Sequence, residues 1–264
     1  MKQLIINADD FGLSLGVSQG IALAAKTGVL TSTTIMGNMP DLRQHLKLLD
    51  GTQIGLGVHL VLSAGKPVLK PDVVPSLVDG RGCFRRNFRQ AVKLANPQEV
   101  KQEWQEQIEH ILNLGVKPTH IDSHHHVHMA PILTRIAVEL AHYYGIHAIR
   151  RITWRDVARE QGLRLATLTS PVIIPSARII ARSGLKYTHR LIALTEENLR
   201  SLLNLGEGTF EIFCHPGVVD AELRSKSSLL SEREDELRLL TASCTRKIVE
   251  QARVELVTFG VFST

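Results

Sequence analysis

The chain has 264 residues, of which 44% are hydrophobic and 22% are charged. This composition is typical of a globular protein and excludes an intrinsically disordered or collagen-like chain. Its formal net charge of +5 comes from 31 basic and 26 acidic residues spread along the chain, which favours a generally basic surface over a nucleic-acid site.

No apolar run approaches the roughly 20 residues that a membrane-spanning helix needs, so we expect no membrane span. The first residues lead directly from a short apolar run into Asn7, without the apolar core or the cleavage site of a signal peptide. Cys83, Cys214 and Cys244 are widely spaced and form no C-x-x-C pair, which argues against disulfides and a cysteine zinc site. We therefore expect a cytoplasmic protein with reduced, buried thiols.

Short apolar runs alternate with amphipathic stretches along the whole chain. We predict strands at residues 4–6, 31–36, 54–62, 119–123, 147–150, 210–214 and 255–262. We predict helices at residues 17–27, 40–49, 97–115, 132–144, 195–206 and 231–250. The alternation is typical of βα units around a parallel sheet. It predicts an α/β fold, a distorted TIM-like (β/α) barrel that could have fewer than eight strands.

Two segments interrupt this alternation. Residues 63–87 are rich in proline and glycine, and residues 152–190 show no clear period. Long irregular segments of α/β enzymes are usually functional loops. Because one α/β barrel commonly has about 250 residues, we predict a single domain over 1–264 with insertions at about 63–87 and 152–190.

Two adjacent carboxylates, Asp9 and Asp10, directly follow the first predicted strand. Unpartnered carboxylates are costly to bury at a sheet edge. Residues just past the carboxyl end of a parallel strand face the ligand crevice in this fold class. Aspartate clusters are also common in ordinary loops, but the pair lies too far before residue 17 to cap the first helix well. The pair is a candidate for site chemistry.

His59 lies inside the apolar run 54–62 and must therefore be desolvated. Such an imidazole is either neutral and hydrogen-bonded in the core or bound to a metal. Gly55 and Gly57, which have no side chains, permit other groups to approach the strand closely. The run alone leaves both readings open.

Six of the twelve histidines lie between residues 110 and 128. If residues 120–128 stay extended, the side chains of His124, His126 and His128 share one face. Grouped imidazoles beside carboxylates match the preferences of zinc and related divalent ions. An accidental surface tract is the alternative. Spacing does not decide which histidine is a ligand, and His120 and His125 could orient one that is.

His215 directly follows the predicted strand 210–214, and Pro216-Gly217 sets a tight turn behind it. In a βα barrel the carboxyl ends of the strands share one face, so residues far apart in sequence meet there. One metal site explains the two aspartates, His59, His124 and His215 more simply than independent structural roles do.

These strand ends resemble those of the YdjC-like carbohydrate deacetylases, the family that includes the chitooligosaccharide (diacetylchitobiose) deacetylases. The resemblance implies a distorted βα barrel with one divalent metal held by Asp10, His59 and His124. It also implies that Asp9 is the catalytic base and His215 the catalytic acid. Residues 65–82 look similar to the hopanoid-biosynthesis branch of the family, which differs in the histidine-rich segment. The matching segments are residues 7–14, 31–34, 57–60, 117–129 and 214–216.

The resemblance implies a metal-dependent hydrolase of amide C–N bonds that removes the N-acetyl group from a sugar or oligosaccharide and releases acetate. The implied cofactor is one divalent ion, Zn²⁺ or Mg²⁺ in the first place, with Co²⁺, Mn²⁺ or Ni²⁺ as alternatives. The implied partner is a small N-acetylated carbohydrate, and a homodimer is left open.

The alternatives are another barrel metal hydrolase of the phosphoesterase type, or a non-enzymatic metal- or nucleic-acid-binding protein. Against the latter stand the 5% aromatic content and histidines that lie on separate strands rather than in one tail.

Overall fold

The structure, a computed structural model, describes residues 1–263. Its strands are β1 Lys2–Phe11, β2 Ser32–Ile35, β3 Gly55–Leu60, β4 His120–Ser123, β5 Ala148–Ile149, β6 Arg190–Ala193, β7 Gly208–Cys214 and β8 Glu255–Leu256. They form one sheet in the order β5-β4-β3-β2-β1-β7-β6, with β8 beside β1. The five pairings whose registers are described are all parallel.

Helices follow most of the strands. They are α1 Leu15–Thr27, α2 Leu42–Leu46, α3 Phe88–Leu94, α4 Pro97–Asn113, α5 Pro131–Tyr143, α6 Trp154–Gln161, α7 Leu163–Arg182, α8 Glu196–Ser201, α9 Ala221–Lys226, α10 Ser231–Thr241 and α11 Ser243–Gln251. Short 3-10 helices cover Lys47–Leu49, His124–Met129, Leu202–Asn204 and Phe259–Phe262. The predicted α/β class, with parallel strands that alternate with helices as in a distorted barrel, is confirmed. Seven strands form the continuous order of the sheet, and the short strand β8 pairs beside β1 as the eighth.

Internal contacts divide the chain into two compact units. The first unit consists of Met1–Thr34, Asp41–Leu56 and the chain from Thr188 onward. The second consists of Ile35–Pro40 and Gly57–Tyr187.

In the first unit, β1 is a central strand that is buried from Leu4 to its end. Leu4, Ile5 and Ile6 have no solvent exposure, although successive side chains of a strand point to opposite faces. Burial on both faces is typical of a parallel sheet. The register pairs Ala8 with Cys214, the last residue of β7. The residues that follow Ala8 and Cys214 therefore lie at the same edge of the sheet.

In the second unit, β3 and β4 bring their polar residues level with each other, since His59 pairs with Asp122. The segment 63–87 contains no helix or longer strand among the described residues. It is tied to α4 instead, because the buried carboxylate of Glu103 accepts hydrogen bonds from the backbone N–H groups of Val68 (2.9 Å) and Leu69 (3.0 Å). Burial raises the pKa of Glu103 above its ordinary value.

Residues 152–190, which show no period in the sequence, contain the helices α6 and α7. Pro171 and Pro175 lie inside α7. Proline in the interior of a segment ordinarily argues against a helix, so the sequence does not predict this one. Only Ala166, Ser176 and Ile180 of its 20 residues are buried. By length and composition alone α7 could cross a membrane. Thr, Ser and Pro residues interrupt the apolar residues of α7, so the segment contains no long unbroken apolar run.

The close approach of β3 and β4 leaves no room for a side chain at position 57, which can be tested by mutation. A Cβ atom at this position would lie 2.4 Å from the ring carbon Cε1 of His120, which is fully buried and cannot move away. Gly57→Ala should therefore lower the free energy of unfolding by about 1–3 kcal/mol, the usual cost of overpacking. Urea denaturation with a chelator present measures this.

The matched control is Gly80→Ala, because a Cβ atom there meets nothing within 4 Å. Equal stability of the two variants would contradict the close contact at Gly57.

Candidate active site

Two neighbouring carboxylates lie near the carboxyl end of β1. Asp9 and Asp10 are 2% and 1% exposed. The side-chain amide of Asn7 donates a hydrogen bond to Asp9 Oδ1 at 3.0 Å. Asp10 has a backbone φ of 69°, in the left-handed region where Asp and Asn are enriched among non-glycine residues. This conformation interrupts the regular alternation of side chains along the strand.

A buried arginine on α10 orients Asp10. The guanidinium of Arg233 is 2% exposed, and its Nη2 donates to Asp10 Oδ2 at 2.5 Å. Its Nε and Nη1 donate to the carbonyls of Leu229 (3.2 Å) and His215 (3.4 Å). Buried ions are tolerated when paired and hydrogen-bonded in this way. One side chain thus positions both Asp10 and the start of the segment after β7.

His215 lies between two carboxylates of the first unit. Its side chain is 25% exposed, and its Nε2 is 3.9 Å from Asp9 Oδ2. On the other side, Glu236 Oε2 accepts a short hydrogen bond from the His215 backbone N–H and is 4.0 Å from Nδ1. The negative charge of Asp9 near Nε2 favours the imidazolium form.

Glu236 has a strongly perturbed pKa. The pKa of this carboxyl is raised from 4.5 to about 7, chiefly by burial and to a smaller extent by the nearby negative charges of Asp9 and Asp10. The hydrogen bond from His215 and the charge of Arg233 act in the opposite direction. A buried carboxyl that titrates near neutral pH, next to a histidine, is typical of functional sites.

In the second unit, His59 belongs to a fully buried ionic group. Its Nδ1 is 2.6 Å from Asp122 Oδ1, and Arg150 Nη1 is 2.9 Å from Asp122 Oδ2. Exposure of all three side chains is 1% or less. The carboxylate favours the tautomer with the proton on Nδ1, which directs the lone pair of Nε2 toward a potential ligand.

The histidine-rich segment is not extended, so the predicted common face of His124, His126 and His128 is wrong. The segment forms the 3-10 helix His124–Met129, and His125 and His126 have φ values of 52° and 53°. Left-handed backbone at two successive residues turns the chain sharply, and the period of two does not apply.

The histidines consequently have different surroundings. The ring of His124 is 5.7 Å from that of His59, measured between centroids. His128 is fully buried, with Nδ1 2.5 Å from Ser123 Oγ and Nε2 3.0 Å from the Arg150 carbonyl. This environment gives His128 a structural role.

Three candidate metal ligands are distributed over the two units. In the second unit, His59 and His124 present two neighbouring imidazoles. In the first unit, Asp10 presents a buried carboxylate. One carboxylate and two imidazoles have the donor chemistry of a divalent-ion site.

Comparison with known proteins identifies the family. The family model for YdjC-like proteins matches residues 3–251. The chain belongs to the YdjC-like family. A relative from Thermoanaerobacter pseudethanolicus, named carbohydrate deacetylase, is 36% identical over 263 residues, which are 99% of each chain. One from Geobacillus stearothermophilus with the same name is 36% identical over 99% of this chain and 98% of its own.

One solved structure is similar to this chain in both sequence and fold. It comes from Enterococcus faecalis V583 and is named for a suggested cellobiose-phosphate cleavage. It is 31% identical, covers 98% of each chain and superposes with a TM-score of 0.83.

Sequence reasoning did not find three residues that support the site. Arg150, Arg233 and Glu236 are charged residues of kinds that usually face solvent, and nothing in their local sequence marks them as buried. Asp122 belongs to the histidine-rich segment. Its place in the predicted strand after that of His59 could have indicated that the two side chains are neighbours. For Arg233 and Glu236, only the packing of α10 reveals the role.

The raised pKa of Glu236 predicts a pH-dependent stability. The folded protein retains this proton between pH 4.5 and about 7, whereas the unfolded chain releases it. The free energy of unfolding should therefore fall as pH rises through this window. Glu236→Gln should remove up to about 3 kcal/mol of that fall, since each pKa unit corresponds to about 1.4 kcal/mol. Urea denaturation of chelator-treated protein from pH 4.5 to 8 measures it.

Glu196→Gln is the control, because the side chain of Glu196 is 73% exposed. If both variants keep the pH dependence of the parent protein, the carboxyl of Glu236 does not titrate in this range.

Proposed function

We propose that the protein is a carbohydrate N-deacetylase, a hydrolase that removes the acetyl group from an N-acetylated sugar or oligosaccharide and releases acetate. Relatives named carbohydrate deacetylase match nearly the whole chain, which supports the substrate class. The observations that carry the proposal are the donor groups of Asp10, His59 and His124: a buried carboxylate in the first unit and two neighbouring imidazoles in the second.

These three residues would hold one divalent ion. One oxygen and two nitrogen donors suit Zn²⁺ well and also Co²⁺, Mn²⁺ or Ni²⁺, whereas Mg²⁺ prefers oxygen donors. Three protein ligands also leave coordination positions open, as catalytic sites require. When bound, such an ion polarises an amide carbonyl and lowers the pKa of water. Arg233 and Asp122 support the proposal because they orient Asp10 and His59.

Asp9 would act as the general base. Its carboxylate would accept a proton from the water whose oxygen bonds to the acetyl carbon. The hydrogen bond from Asn7 to Oδ1 holds the carboxylate in place. Asp10 would be occupied as a ligand, so the two neighbours would have separate tasks.

His215 would act as the general acid. The bond between the acetyl carbon and the sugar nitrogen breaks only if that nitrogen receives a proton, because an amide anion is a poor leaving group. The 3.9 Å between His215 Nε2 and Asp9 Oδ2 is short enough for acid and base to serve one amide group. Glu236 at the other side of the ring accepts a hydrogen bond from the His215 backbone N–H and so fixes the position of the residue.

We further propose a cytoplasmic location. Cys83, Cys214 and Cys244 are all free thiols, although only Cys214 is buried and the expected burial of the other two is wrong. A reducing compartment maintains this state.

The two aspartates can be separated by experiment. Asp9→Asn should retain about one divalent ion per chain and lose most acetate release, because it removes only the base. Asp10→Asn should lose the metal, because an amide is a weaker ligand than a carboxylate. Metal analysis and acetate release from a panel of N-acetylated sugars measure both.

Equal metal loss in the two variants, or an active Asp9→Asn enzyme, would overturn the division of roles. Release of phosphate from phosphosugars without any release of acetate would favour a phosphoesterase instead.

The role of His215 predicts a difference between substrates. His215→Gln should bind metal normally and lose on the order of 10²–10⁴-fold in kcat on an amide, the usual contribution of positioned proton transfer. The loss should be much smaller on an activated acetyl ester, whose leaving group needs no proton. Equal losses on both substrates together with a lower Tm would mean that His215 is structural.

A further inference from the structure

The outer face of α7 is apolar in the middle and basic at both ends. Leu168 is 70% exposed and Val172 is 44% exposed. At 3.6 residues per turn, both share one face with Arg164 before them and Arg182 after them. Pro171 lies on the same face and is also exposed. Large exposed apolar side chains that cluster in this way usually mark an interaction surface.

The opposite face of α7 belongs to the fold. Ala166, Ser176 and Ile180 are buried, and Ser176 Oγ donates to the carbonyl of Met129 at 2.7 Å. Helix α7 also packs against α5 and α6. Since one face is fixed in this way, α7 lies along the surface of its unit with the other face outward.

The charge of this region is unlike that of the rest of the chain. Residues 151–190 contain eight arginine and lysine residues against two acidic ones, a net charge of +6. The other 224 residues contain 23 basic and 24 acidic residues and sum to −1. Arg155 and Arg159 of α6 are exposed beside α7, as are Arg164, Arg178 and Arg182 within it.

We propose that the outer face of α7 binds peripherally to an anionic membrane surface. An apolar stripe that enters the boundary between headgroups and acyl chains, flanked by arginines that reach lipid phosphates, is the usual design of an interfacial helix. The positive charge complements the negative surface of anionic bilayers. Because the inner face is packed, the helix lies on the bilayer and does not cross it.

The same charges argue against the other occupants of this face. In a symmetric pair of copies the same face meets itself, so Arg164, Arg178 and Arg182 would oppose an identical basic set. Nucleic acid would match the charge but would leave Leu168 and Val172 without an apolar partner. The surface lies outside the residues assigned to hydrolysis, so the proposal stands independently of the proposed function.

Vesicle flotation with the full chain tests this proposal. The protein should float with vesicles of phosphatidylcholine containing about a third phosphatidylserine and remain unbound with phosphatidylcholine alone. Binding should weaken as salt rises, because the arginines are screened. Leu168→Gln/Val172→Gln and Arg164→Gln/Arg182→Gln should each reduce partitioning by about tenfold or more, with unchanged Tm and unchanged hydrolysis of a water-soluble substrate.

The control is Leu203→Gln/Arg200→Gln, which changes one exposed apolar and one exposed basic residue elsewhere (51% exposed for Leu203, 75% for Arg200). It should bind like the parent protein. Absence of binding to the anionic vesicles, or equal binding by the two α7 variants and the parent, would overturn the proposal. A dimer in light scattering that dissociates in Leu168→Gln/Val172→Gln would also overturn it and assign the face to a second copy.

Discussion

A fully buried carboxylate, that of Asp122, holds an imidazole on one oxygen and a guanidinium on the other. The hydrogen-bonded pair with His59 joins β3 to β4, and the ion pair with Arg150 reaches the residue that follows β5. The carbonyl of Arg150 in turn receives His128. Removing any charged member would leave another buried without its partner, which is costly. The orientation of the histidines in this unit therefore depends on one ionic group.

The first unit uses a comparable device. Arg233 neutralises Asp10 and also donates to the backbone carbonyl of His215, so a side chain from α10 joins the ends of β1 and β7. Glu236, one turn further along α10, accepts from the His215 backbone. Helix α10 thus supplies both the guanidinium that is paired with Asp10 and the carboxyl group beside His215. The chemistry of the strand ends depends on a helix far away in sequence.

The strand ends could be predicted from sequence because local composition determines them. Buried parallel strands appear as apolar runs, so Asp9, His59 and His215 stood out as polar residues at or near their ends. Helix α7 could not be predicted in this way, since its two internal prolines, Pro171 and Pro175, argue against a helix. The left-handed turn at His125 and His126 also leaves no local pattern. Arg233 and Glu236 remained hidden because long-range packing, and not nearby sequence, buries them.

The left-handed backbone of Asp10 has a consequence for how this scaffold can change. Asparagine adopts that conformation as readily as aspartate, and a single base change converts the codon of one into that of the other. The turn would survive while the carboxylate disappears. The buried guanidinium of Arg233 would then lose its charged partner, which is costly. If Asp10 holds the metal as proposed, a folded descendant without hydrolytic activity therefore needs a second, compensating change at Arg233, although the turn itself needs none.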